Sequence, residues 1–546
     1  MQVRDISFNE EMSHSVISQV CLAYLLQFST SESLDINVNV SSPLASYAAE
    51  NWIIHAQSSG KNKSQSSAIF GLMMRLLKDE NFAFLNWVRL CNIDYYCRMD
   101  LGKLRVEMAK PLYYASLAGL AEASYALLEM GADINARGGQ YGNALQAASY
   151  KGHEATARLL VEVGADVNVQ GGYYGNALQA ASEGGHEAIV KLLVDKGADV
   201  NAQGGTSGNA LQAASIGGHE AIVKLLIEKG ADVNAQGGSS GNALQAASEG
   251  GHEAIVKLLI EIGADVNAQG GNYGNALQAA SHGGHGATAK LLIEKGADVN
   301  AQGGWLGNAL QAATYGGQEA TVKLLIEKGA DVNAQGENHR HALALEVAAC
   351  EGHQAIVKLL IEKGADVNAQ GRFYGNALHE ASREGHEAIV KFLIEKGANV
   401  NAQGGLNKNA LQAASVRGHE EIVKLLIENG ADVNAQGGEY GNALQAASSK
   451  GHEATVKLLI EKGADVNVQG GIYRNALQAA SSKGNEAVVK LLIEKGAEVN
   501  AQGGVFGNAL QAASNKGHEA VVKLLIENKA DVNALQVASE EDMWPW

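Results

Sequence analysis

A pentapeptide of the type Gly-Ala-Asp-Val-Asn returns along this chain at a fixed interval. It starts at Gly131, Gly164, Gly197, Gly230, Gly263, Gly296, Gly329, Gly364, Gly397, Gly430, Gly463 and Gly496, and a last copy opens on Lys529. Eleven of the intervals are 33 residues long and one, Gly329 to Gly364, is 35. A period of this length means one supersecondary unit stacked on itself, because a single unit has apolar faces that only a neighbour covers. Composition agrees: 65 Gly against 3 Pro, with 46 % hydrophobic and 5 % aromatic residues, excludes disordered and collagen-like chains. An aliphatic core with many turns remains.

The unit Gly175 to Ser207 reads GNALQAASEGGHEAIVKLLVDKGADVNAQGGTS. Asn176 is placed to cap a short helix over Ala177–Ser182, with Gln179 in the capping-box position. Gly184 and Gly185 stop that helix. A second helix is predicted over Glu187–Lys196, with a charged stripe of Glu187, Lys191 and Asp195 and apolar residues around the rest. Gly197 ends it, and ADVNAQGG extends and turns at its glycines into the next unit. Helix–turn–helix units of 33 residues with a GH turn, LL in the second helix and a closing GADVNA resemble ankyrin repeats. The resemblance covers residues 108–540, about 13 repeats with degenerate ends, and implies an all-α repeat solenoid of stacked helix–turn–helix–hairpin units. The usual TPLH is replaced by NALQ in most units, while ALHEAS keeps a histidine at His379. The first unit is degenerate, with PLYYASLAGL, and at the other end ADVNALQVASEEDMWPW reads as half a unit followed by a tail over 541–546.

Residues 1–107 do not repeat. Apolar spacing predicts helices over Glu10–Phe28, Leu44–Gln57, Ser67–Lys78 and Phe82–Cys91, a small module that docks on and caps the first repeat. The strings CLAYLLQF (21–28), PLASYAAENWIIHA (43–56) and FLNWVRL (84–90) resemble the connector of fungal NLR-like proteins, in which an NTPase of the NACHT class precedes ankyrin repeats. No nucleotide switch comes with it, since Gly60-Lys61 is followed by Asn62 and position 55 is not glycine.

With 42 Lys and Arg against 59 Asp and Glu, the formal charge is −17, unsuited to phosphate backbones or anionic membranes. Cys21, Cys91, Cys97 and Cys350 have no metal-ligand spacing and are expected to be reduced thiols. The N-terminus lacks a signal pattern and no apolar run reaches spanning length, so a cytoplasmic location, with the nucleus as alternative, is expected.

Catalysis is not expected. Ser182/His186 and Ser215/His219 recur at four-residue separation with an Asp in each unit, but a triad needs one convergent pocket, not a row of copies. Positions 318 and 485 carry Gln and Asn where other units have His. The GGxxGN loops lack phosphate-loop spacing, and the pairs His282/His285 and His339/His341 lack further ligands. No cofactor, metal or small-molecule substrate is implied.

Function is sought where near-identical units differ. Just after the glycine pair, or the Gly-Arg at 371–372, stand Gln140, Tyr173, Thr206, Ser239, Asn272, Trp305, Phe373, Leu406, Glu439, Ile472 and Val505, eleven different amino acids. Thirteen aromatics lie between Gly131 and Asn533, and apart from Phe392 they fall outside the second helices. Tyr141, Tyr173, Tyr174, Tyr273, Trp305, Phe373, Tyr374, Tyr440, Tyr473 and Phe506 are at hairpin tips, and Tyr150 and Tyr315 end first helices. Aromatics and arginine anchor protein interfaces, so these residues, with Gln140 and Glu439, are the candidate partner contacts. For the tyrosines in the second tip position two readings stand: packing of hairpin on hairpin, or recognition. The longer hairpin carrying His339 and Arg340 is either a tolerated insertion or a further contact. The expectation is a non-enzymatic scaffold binding a protein partner through hairpin tips and first helices, in the NLR-like setting that the resemblance implies. Its rivals are an adaptor or transcription coregulator that does not touch DNA, and an inactive fragment of a larger NACHT-ankyrin NTPase.

Overall fold

The computed structural model describes residues 10–30, 34, 42–59, 63–78, 82–95, 99, 108–336, 343–371, 375–405 and 409–532. Among them are 30 α-helices and one 3-10 turn, Ile93–Tyr95, with no strand beyond isolated bridges. The chain forms two compact units, Met1–Ala276 and Leu277–Trp546.

In the first unit, α1 (Glu10–Leu25), α2 (Ala45–Ser58), α3 (Lys63–Leu76) and α4 (Phe82–Leu90) make the N-terminal module. Its core is aromatic: Trp52 meets Trp87 edge-on at 5.5 Å, and Phe84 and Trp87 each meet Tyr114 edge-on at 5.7 and 6.0 Å. Tyr114 lies on α5 (Pro111–Leu117), which pairs with α6 (Ala121–Glu129) as the first repeat. This accounts for the degenerate PLYYASLAGL. Tyr114 replaces a small alanine and fills the module's core. Tyr113 takes the place of the repeat glutamine, donates to Asp94, and accepts from the Tyr141 amide at 3.2 Å. Gln57 Nε2 adds a bond to the Ala118 carbonyl at 2.8 Å. The first repeat is thus sealed by the module on one side and bound to the next hairpin on the other.

The regular unit runs as the spacing predicts, with helices over Ala177–Glu183 and Glu187–Asp195. Asn176, extended at φ −142°, accepts the Gln179 amide on its side chain. Leu178, Ile189, Val190 and Leu193 are fully buried, and the Glu187–Lys191 pair is exposed. That exposed pair contributes little; burial of the four aliphatic side chains contributes ~1.5–3 kcal/mol each.

What the sequence repeats most faithfully is the hydrogen bonding between units. Gln179 Nε2 donates forward to the carbonyls of Ala202, Gly204 and Gly208 in the next hairpin, at 3.1, 3.2 and 2.8 Å. Asn168 donates to the Gly197 carbonyl at 3.1 Å and accepts the Asp199 amide at 2.8 Å, across one repeat boundary. His186 Nε2 donates backward to the Tyr150 carbonyl at 2.8 Å. The second unit repeats the pattern: Gln445 reaches Val468 and Arg474, Asn434 reaches Gly463 and Asp465, and His452 reaches Val416. Where Asn485 replaces the histidine, its amide reaches the Ser448 carbonyl at 2.8 Å and keeps the link. The capping box expected of Gln179 forms at Asn308 and Gln311, but Gln179 itself turns outward, because three carbonyls of the neighbouring hairpin compete for its amide. Each bond is worth ~1 kcal/mol net, so an interface carries several kcal/mol of directional stabilisation above its apolar burial.

Four expected sites and several flanking residues, among them His339, Arg340, Phe373 and Tyr374, lie outside the described residues. The expectation of reduced thiols fails at Cys91, which is disulfide-bonded to a partner outside the described residues; Cys21 and Cys350 are free.

Replacing Gln179 with Ala leaves three carbonyls without their donor and costs about 2 kcal/mol locally. Amide exchange at Gly204 and Thr206 then quickens roughly 30-fold, while exchange in α1 to α4 is unchanged. Unaltered exchange at those two amides would contradict the assigned role of the glutamine.

Candidate functional site

Each hairpin tip has two variable positions, and the structure sends them in opposite directions. The first position is outward. Tyr173, Thr206, Ser239, Asn272, Trp305, Glu439, Ile472 and Val505 are exposed and Gln140 is half-buried. Their backbones are nonetheless fixed: the amides of Tyr173, Thr206, Ser239 and Asn272 each donate to the carbonyl of the preceding tip at 2.8–3.1 Å. In the second unit Ile472 donates to Glu439 and Val505 to Ile472. The main chain is held in register and the side chains face outward.

The second position packs back on the end of the first helix. Tyr141 and Tyr174 are buried, at 6 % and 8 % exposure, which for these two supports packing, one of the two readings left open. Their reason is Tyr150, at the end of a first helix, which stacks on both at 4.9 and 4.5 Å. Burial, then the Tyr150 hydroxyl, push the Tyr174 phenol well above its ordinary range. Tyr273, Tyr440, Tyr473 and Phe506 are half-buried in the same position. Tyr173 stands edge-on to Tyr174 at 4.9 Å and is 48 % exposed.

In the second unit Trp305, 46 % exposed, stands edge-on to Tyr315 at 5.3 Å, with the His282 ring stacked on Tyr315 at 6.0 Å. Trp305 is an aromatic anchor braced by two rings, a geometry suited to covering by a partner.

A second variable set escaped the sequence reading. The residue just before the turn glycine is Lys151, Arg417, Lys450, Lys483 and Lys516 in some repeats, and Gly184, Gly217, Gly250, Gly283 and Gly316 in others. The ammonium groups of Lys450, Lys483 and Lys516 lie 5.8, 6.0 and 5.6 Å from the ring centres of Tyr440, Tyr473 and Phe506. Lys151 does the same over Tyr141 and Tyr150. The alternation of Gly and Lys at a spacing of 33 was the available signal.

The irregular repeats around 343–384 hold a buried polar cluster. Glu380, 1 % exposed, is bonded by Arg383 at 2.6 Å and His379 at 3.3 Å. Burial raises the Glu380 pKa, but the hydrogen bonds from His379 and Arg383 outweigh it and leave the carboxyl below its ordinary value. Burial, then the Glu380 charge, push the Cys350 thiol up to about 12. Glu380, Arg383 and His379 stabilise one another, and Cys350 stands half-buried beside them. His186, proposed and rejected as a triad member, is occupied by the Tyr150 carbonyl. Among the described residues no group of three metal-ligating side chains forms, and no helix is long and apolar enough to cross a membrane.

Two outcomes follow from this cluster. At neutral pH a maleimide modifies Cys350 far more slowly in the folded chain than after denaturation; equal rates would refute its half-buried place beside carboxylates. Because the Glu380 pKa is lowered on folding, its contribution is present above the unfolded carboxylate value and is lost as pH falls through the folded one. The urea midpoint of the wild type therefore drops toward that of Glu380→Gln between about pH 5 and pH 3, and a constant gap would refute the assignment.

Models of the family described as Ankyrin repeats (3 copies) match in nine overlapping segments from 112–204 to 444–536. An "Azaphilone pigments biosynthesis cluster protein L" of Monascus ruber is 37 % identical over 153 residues, 26 % of this chain. The match spans 32 % of that relative's length. The ankyrin repeat domain of human ASB11 is similar over 41 % of this chain and 98 % of its own, at 28 % identity and a TM-score of 0.37. With family matches running from residue 112 to 536 on helix pairs joined by glycine hairpins, the chain belongs to the ankyrin-repeat family.

Proposed function

We propose that this chain binds a protein partner through the outward residues of its hairpin tips and the first-helix ends beside them, and performs no chemistry of its own. One observation carries the reading. The nine described outward tip residues are nine different amino acids, eight of them sharing inter-tip backbone hydrogen bonds, while the glutamines, asparagines and histidines that join the repeats hardly vary. Variation confined to exposed side chains on a fixed frame is what a reading surface requires. Tyr173 and Trp305 are its aromatic anchors, and the repeat fold itself is a protein-interaction module.

The NLR-like setting and a cytoplasmic or nuclear location belong to this proposal. Supporting the setting is a helical module, with Trp52 and Trp87 at its centre, placed directly before the array. A second reading, an adaptor in a fungal biosynthetic pathway, is favoured by the name of the Monascus ruber relative.

The test is capture from the native cell with the wild type and a variant carrying Tyr173, Trp305, Glu439 and Val505 as alanine, both shown to fold alike by circular dichroism. A partner held by the wild type and lost by the variant, with affinity falling by ~2 kcal/mol or more, is expected. A partner held equally by both would place binding on the second-helix faces and overturn the proposed surface.

A further inference from the structure

The charge of the chain is −17, yet one face of the second unit is basic. Arg417, Lys450, Lys483 and Lys516 are exposed, stand at successive intervals of 33 residues, and occupy the same place at the end of a first helix. Between Lys450 and Lys483 in sequence, Arg474 adds a fifth cation from the hairpin. Beside three of the lysines lie Tyr440, Tyr473 and Phe506, each ring facing an ammonium group within 5.6–6.0 Å.

The fold alone does not call for these cations. A lysine at a helix C-terminus gains a few tenths of a kcal/mol from the backbone dipoles, but five other repeats have glycine there and form the same turn. Arg474 goes further. It holds φ +74° where most equivalent hairpins have glycine, a left-handed conformation that costs a long side chain ~1 kcal/mol. Its side chain lies along the next hairpin, at Gly503 and Gly504. A strained cation and a row of cations on rings therefore share one face. At the corresponding place the first unit has Lys151 and then Gly184, Gly217 and Gly250, and one residue earlier it carries Glu183 and Glu249, bonded to Ser207 and Ser240.

We propose that this face, from Arg417 to Lys516, binds an acidic extended segment of a partner protein, its carboxylates on the lysines and its apolar side chains against the ring edges. The inference deepens the partner-binding reading and rests on it. Charge complementarity names the occupant. Four cations across three helix layers of roughly 10 Å span about 30 Å, the length of about nine extended residues. The ammonium groups cover the ring faces that a nucleic-acid base would stack on. A polyanion longer than the stripe meets the acidic remainder of the chain, whereas a short acidic peptide does not. Among the described tips here, Glu439 is the acidic one, at the Tyr440 end.

The test uses the full chain and fluorescence anisotropy of three labelled probes of about twelve units: a glutamate peptide with interspersed leucines, the same peptide with lysine for glutamate, and oligothymidylate. The acidic peptide is expected to bind and the other two not to. Its binding weakens as salt rises from about 0.05 M to about 0.3 M. The variant K450E/K483E/K516E weakens it at least about tenfold. A second variant, K424E/K457E/K490E, makes the same charge change on exposed second-helix lysines and leaves binding unchanged. Equal loss in both variants, no binding of the acidic peptide, or tighter binding of oligothymidylate would each overturn the proposal. Capture is read separately with a variant carrying only Tyr173 and Trp305 as alanine, so failure here with that capture intact removes the basic stripe and leaves the tip surface standing.

Discussion

The array depends on amide and imidazole side chains that bond across repeat boundaries. Gln179 holds the hairpin of the following repeat, Asn168 holds its Asp-Val-Asn turn, and His186 holds the helix end of the preceding one. Apolar burial drives neighbours together without direction; these bonds set their register. The glycines follow from the same bonds. At Gly175 and Gly205 the backbone is left-handed and the place of a Cβ is filled by the Gln179 amide and the next hairpin at Gly175 and by the preceding hairpin at Gly205, so no other residue fits without a shift.

Because register is set by residues that recur, the remaining positions are released. The outward tip side chains vary without restraint, and the inward tip residue pairs with whatever ends the first helix: tyrosine on tyrosine at 141, 150 and 174, serine on glutamate at 240 and 249, lysine over an aromatic ring at 440 and 450. The same frame thus presents an aromatic cluster, an acidic stretch and a basic one at different places. The departures from the pattern are concentrated where the chain does something else: Tyr113 and Tyr114 weld the N-terminal module to the array, and Glu380 with Arg383 and His379 replaces alanine packing by a buried polar group.

Period, helix limits and caps were readable from the chain, because Asn176, the turn glycines and the Leu-Leu pairs each act within a few residues of their position. The four module helices were also found within a few residues, from apolar spacing alone. What was not readable involved partners a whole repeat away. Gln179 was expected to fold back on its own cap; its true partners lie 23 to 29 residues ahead. Tyr141 and Tyr174 gave the same signal as Tyr173, and only the position of the Tyr150 ring separates the buried pair from the exposed one. The lysine–aromatic pairs were missed because cation and ring each vary separately along the sequence.

The central claim is that register and recognition reside in different residues, and urea unfolding of two multiple variants tests it most directly. One levels the tips, with Tyr173, Thr206, Trp305, Ile472 and Val505 all made serine; the other breaks the ladder, with Asn168, Asn201 and Asn234 made alanine. The account predicts an unchanged midpoint for the first and a lowered midpoint, with early loss of helix in the first unit, for the second. A levelled-tip variant that unfolds as early as the ladder variant would show that the tips hold the stack, and would contradict the account.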